Sequence, residues 1–65
     1  MKEHVSINEA TKEELMAFPG ISEETADNII KYRDQHGPFK SIDDLANVKN
    51  MKQEYIEDLK FWLKV

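Results

Sequence analysis

Apolar residues recur along this chain in two sets that match each other at an offset of 30 residues. The first set is Leu15, Phe18, Ile21, Ala26 and Ile29. The second is Leu45, Val48, Met51, Ile56 and Leu59. Charged and polar residues fill most positions between, and the steps of three within each set belong to helix faces. The stretches 18–22 and 48–52 interrupt the pattern and put a turn in the middle of each set. The chain thus reads as one helix–turn–helix unit used twice, over about 11–36 and 41–63, joined by Gln35 to Lys40. Two units are too few for a solenoid. They suffice to pack face to face around a shared core, which predicts an all-α domain of four to five helices spanning residues 1–65.

Capping residues place the boundaries. Thr11 and Glu14 form a capping box, and a short helix runs to about Ala17 with Leu15 and Phe18 inward. Pro19 ends it by removing a backbone donor and pushing Phe18 out of the helical region. Gly20 suits a left-handed turn, Ile21 plugs back between the helices, and Ser22 caps the next helix. That helix is expected from Glu23 to Gln35, with Ala26, Ile29, Ile30 and Tyr32 on one side and Arg33 available to pair with a carboxylate. Gly37 and Pro38 stop it, and Phe39 reaches the core. Ser41-Ile42-Asp43-Asp44 repeats the first cap, and its short helix ends near Asn47. The last helix begins after Lys52 and carries Tyr55, Ile56, Leu59, Trp62 and Leu63 as its apolar face; Phe61 lies off that face. Residues 1–10 read as an extended arm laid on the helices, because the alternation of Val5 and Ile7 is too short to define a strand.

Composition narrows the function. A chain of 65 residues makes a barely sufficient core. It has no cysteine for disulfides or thiolate metal sites. No run approaches the ~18 apolar residues of a membrane span, and no leader is visible, so the protein is expected to be cytoplasmic or a piece of something larger. His4 and His36 are isolated from other metal ligands. Glu13, Glu14, Asp43 and Asp44 sit in first helical turns, where they complement the helix dipole. Nothing pairs a nucleophile with a base and nothing forms a Walker-type phosphate loop, so neither an enzyme nor a cofactor is expected. The net charge of −4, within a charged fraction of 34%, weighs against a general nucleic-acid binder.

The two turns hold the candidate chemistry. Gly20, Ile21 and Ser22 lie at a helix N-terminus, where free backbone N–H groups make an anion site. At the second turn Lys49-Asn50-Met51-Lys52 replaces Pro19-Gly20-Ile21-Ser22. Asn50 tolerates the left-handed conformation, but Lys52 is a poor cap, so this turn should be looser.

Several stretches then point to a family: Val5-Ser6-Ile7-Asn8, Ala10-Thr11, Glu14-Leu15, Phe18-Pro19-Gly20-Ile21, Tyr32-Arg33, Gly37-Pro38-Phe39-Lys40-Ser41 and Asp44-Leu45. In order and spacing they resemble the tandem helix-hairpin-helix domain of the ComEA type, the bacterial competence DNA receptor. The resemblance implies a SAM-like fold and a non-catalytic, sequence-independent grip on double-stranded DNA. Two hairpins, each usually Gly-apolar-Gly, straddle the minor groove and offer N–H groups to phosphates. Carried onto this chain, the contacts are Gly20, Ile21 and Ser22 with Thr25, and Lys49, Asn50, Met51 and Lys52. The chain departs from the pattern at Ser22, Asn50 and Lys52, each in a glycine position, and Glu23 and Glu24 put two negative charges beside the first hairpin. Two readings therefore stand: weak, salt-sensitive DNA binding by a monomer, or a degenerate module that has lost DNA and meets a protein partner. The ComEA-like receptors work outside the cytoplasm, but no anchor appears here, so location does not carry over.

Overall fold

In a computed structural model of the chain, residues 5–65 are described; residues 1–4, with His4 and the start of the expected arm, lie outside the described part. The elements follow in the order β1 (Val5–Ser6), α1 (Lys12–Met16), α2 (Glu23–His36), a 3-10 helix (Ile42–Asn47), α3 (Gln53–Leu59) and β2 (Leu63–Lys64). The fold is mostly helical, as expected, with four helices among the described residues.

Local signals account for most boundaries. At α1 the Thr11 hydroxyl accepts from the Glu14 N–H while the Glu14 carboxylate accepts from the Thr11 N–H, a complete capping box. At α2 the Ser22 hydroxyl accepts from the Thr25 N–H. Gly37, at φ 84°, ends α2. Before the 3-10 helix, the Asp44 carboxylate accepts from the N–H groups of Lys40 and Ser41. Lys52 precedes α3 with no side-chain cap, which agrees with its reading as a poor N-cap.

The core gathers both apolar sets. Leu15, Phe18, Ile21, Ala26 and Ile29 are buried beside Leu45, Val48, Ile56 and Leu59, with Ile7, Ala10, Phe39 and Leu63 closing the ends; Met51 is partly buried against them. The hydrogen bonds repeat as the sequence does. Phe18 N–H meets Leu15 O and Ile21 N–H meets Phe18 O; 30 residues on, Val48 N–H meets Leu45 O and Met51 N–H meets Val48 O.

Two expectations are corrected. The last helix does not run through Trp62 and Leu63. It ends at Leu59, the N–H groups of Phe61 and Trp62 turn back to Asp58 and Leu59, and Leu63 enters β2. The arm explains this. β1 and β2 form a parallel pair with Val5 opposite Leu63, in which Val5 N–H donates to Trp62 O and Ile7 N–H to Lys64 O. Extended residues set these two acceptors along one edge beside the arm; a helical backbone would point them along its axis instead. The short helix expected after Ser41 runs Ile42–Asn47 and is of the 3-10 type. In addition, Arg33 meets no carboxylate among the described residues: its Nη1 donates to the Ile7 carbonyl at 2.8 Å and ties the arm to α2. Asn8 adds a two-way bond to Phe39, accepting from its N–H at 2.7 Å and donating to its carbonyl at 3.1 Å. Phe61 is left 73% exposed.

Candidate nucleic-acid interface

The α1–α2 turn and the turn before α3 open into one cleft of about 730 Å³. Gly20, Ile21, Ser22 and Thr25 line one side, and Asn50, Met51 and Lys52 the other, with Glu24 and Tyr55 completing the wall. Seven of the eight residues singled out from the sequence thus meet, although the two groups lie about 30 residues apart in the chain. The eighth, Lys49, lines a different groove, because its carbonyl is drawn toward α2 by the Asn28 side-chain amide.

Each turn places one residue in the left-handed region, Gly20 at φ 83° and Asn50 at φ 72°. Asn is among the few side chains that enter this region readily, so the turn geometry persists without glycine. Gly20 carries a second constraint. A Cβ there would lie 2.8 Å from Tyr55 Cγ, so the Tyr55 ring takes the space a side chain would need.

The backbone donors differ from expectation in one respect. The N–H groups of Ile21 and Met51 point inward to Phe18 and Val48 carbonyls, because the apolar side chain at each position must turn into the core and carries its peptide with it. The N–H groups of Gly20, Ser22, Asn50 and Lys52 donate to no backbone acceptor among the described residues. Thr25 is also less available than its polarity suggests: it is buried, and its hydroxyl lies 3.1 Å from that of Ser22.

Charge at the mouth is split. Glu23 turns away from the cleft to Lys12, whose Nζ lies 2.9 Å from Glu23 and 3.2 Å from Asp27. The Glu23 and Asp27 carboxylates hold the Lys12 ammonium above its ordinary pKa of 10.5. Glu24 stays in the cleft and accepts at 2.7 Å from the Asn50 amide, which links α2 to the second turn. Opposite it, Lys52 Nζ sits 5.9 Å from the Tyr55 ring centroid, within cation–π range. The sequence marked Glu24 only as a charge beside the first hairpin and Tyr55 only as part of an apolar face. The contacts that give them a role span 26 and 35 positions, and no local pattern reports them.

The sequence as a whole fits a known pattern: the helix-hairpin-helix motif family matches residues 1–64. The chain belongs to the helix-hairpin-helix family. This helix-hairpin-helix chain is 46% identical over 57 residues to a zebrafish (Danio rerio) "Endonuclease/exonuclease/phosphatase family domain-containing protein 1", covering 88% of the chain and 10% of that protein. It is 42% identical over 60 residues to the Homo sapiens protein of the same name, covering 92% of the chain and 10% of the other. It is 38% identical over 56 residues to "ComE operon protein 1" of Bacillus subtilis strain 168, covering 86% of the chain and 27% of that protein. The chain therefore spans about a tenth of the length of the first two relatives and about a quarter of the third. Among the described residues, no helix is long and apolar enough to cross a membrane.

Proposed function

We propose that this helix-hairpin-helix chain is one domain of two hairpin units, about 11–36 and 41–63, that binds double-stranded DNA without sequence preference and without catalysis. The observation carrying the reading is that both left-handed turns open into one cleft, with the N–H groups of Gly20, Ser22, Asn50 and Lys52 left without a backbone acceptor among the described residues. Backbone donors at helix starts suit phosphate and carry no base information. Lys52 adds a cation over Tyr55, and the Ser22 hydroxyl adds a polar group on the other side. Ile21 and Met51 act as plugs that hold the turns in shape. The likeness to a ComE operon protein supports the same assignment.

The affinity should fall in the non-specific range of about 10⁻⁴–10⁻⁶ M, because Glu24 stands in the cleft and the chain is acidic overall. A fluorescent duplex titrated at low salt should raise anisotropy, and Lys52→Glu should reduce the binding. Absence of binding at low salt and high protein concentration defeats the proposal. A second reading, a degenerate module that works through protein contact, draws on Glu24 at the cleft and on the exposed Phe61; it predicts no duplex binding at any salt.

A further inference from the structure

Beyond the cleft, α2 continues past a second groove of about 190 Å³. Asn28 marks the divide: its side-chain amide donates to the Lys49 carbonyl and pins the second turn against the middle of α2. On the far side Lys31, Tyr32, Gln35 and His36 of α2 face Lys49. These α2 positions recur at steps of three and four and so share one helix face. In an acidic chain this groove is lined by cations and neutral residues, with no carboxylate in its wall. Neither Lys31 nor Lys49 makes an ion pair with the described residues, unlike Lys12 and Lys60, which each bind two carboxylates. The floor is firm. The His36 ring stacks on Tyr32 at 4.4 Å and Tyr32 stacks on buried Phe39 at 4.9 Å.

We propose that this groove is a second contact for the same polyanion, taking a backbone phosphate between the Lys31 and Lys49 ammonium groups. The proposal rests on the duplex reading of the cleft. Its geometry follows from α2. From Thr25 in the cleft to Gln35 in the groove is about 15 Å along the helix at ~1.5 Å per residue. Duplex DNA carries about one charge per 1.7 Å of axis, so a duplex seated at the turns brings further phosphates over that distance. Lys49, which adjoins the second turn yet lies outside the cleft, then has a ligand of its own.

The test is a ¹⁵N NMR titration of the chain with a 16-base-pair duplex at low salt. Amide shifts at Lys31, Gln35 and His36 together with Gly20, Ser22 and Lys52 support the proposal. Shifts confined to the turns overturn it and leave the cleft reading intact. Shifts confined to the groove keep the groove as a polyanion site and overturn the cleft reading; no shifts at all overturn both. The double variant Lys31→Gln/Lys49→Gln gives an independent check, since neither side chain is bonded to the described residues. At about 0.9 per phosphate lost, the slope of log affinity against log salt should fall by about 0.9. An unchanged slope and affinity overturn the proposal.

Discussion

At the scale of single residues, Gly20 answers two demands at once. Its φ of 83° costs an L-residue about 1–2 kcal/mol, and the Tyr55 ring occupies the place of a side chain. Gly20→Ala should therefore lower stability in urea melts by more than the backbone cost alone. In Gly20→Ala/Tyr55→Ala the steric part vanishes, so the double variant should lose less than the sum of the single losses. Strict additivity would mean that the ring moves aside freely. The turn conformations at Gly20 and Asn50 were legible in the sequence, because residue type alone restricts them. The Tyr55 contact was not, since Tyr55 lies 35 residues away in the chain. Glu24 makes a sharper test of electrostatics. Glu24→Gln keeps an acceptor for the Asn50 amide but removes the charge from the cleft. Stability should stay within about 0.5 kcal/mol and duplex affinity should rise several-fold by anisotropy; equal affinity would place the bound phosphates away from Glu24.

At the scale of elements, the caps were the most readable feature. Thr11–Glu14 and Ser22 act as their types require, because a cap is a contract between residues three apart. The end of α3 was unreadable for the opposite reason. Trp62 and Leu63 continue the apolar period and no Gly or Pro intervenes, so only the acceptors needed by the distant arm reveal the break. The 30-residue match in sequence also hid a difference in helix type, since Ser41 to Asp44 carries a cap suitable for either α or 3-10. At the start of α3 stability and binding oppose each other. Lys52→Ser should supply the missing cap and raise stability by roughly 0.5–1 kcal/mol, while weakening duplex binding through the lost cation. Melting and anisotropy on one variant check both; a variant that binds DNA more tightly would remove Lys52 from the site.

At the scale of the whole molecule, a small core is held by bonds between distant segments. Asn8 meets both backbone groups of Phe39. Asn8→Ala leaves them unpaired, and a loss of about 2 kcal/mol is expected in thermal melts; a loss near zero would mean that water replaces the side chain. Two lysines brace the helices: Lys12 links α1 to α2, and Lys60 joins Asp43 to Glu57. Hydrogen bonds that they donate to carboxylates, Glu23 before Asp27 and Asp43 before Glu57, raise both ammonium pKa values above 10.5. A raised lysine pKa gives stabilisation that is complete below the unfolded value and is lost as pH climbs through the folded one. The melting temperature should therefore decline above about pH 10.5, and by less in Lys12→Met/Lys60→Met; an equal decline in both proteins would assign the alkaline loss to other groups.

The parallel pairing of Val5–Ser6 with Leu63–Lys64 also sets the mechanics of the domain. Tension applied between residues 5 and 65 pulls the two strands along their length in opposite directions. The bonds from Val5 to Trp62 and from Ile7 to Lys64 are then loaded side by side. They must slide together instead of peeling one at a time, so the fold meets stretching at its ends with a shear clamp placed ahead of every helix.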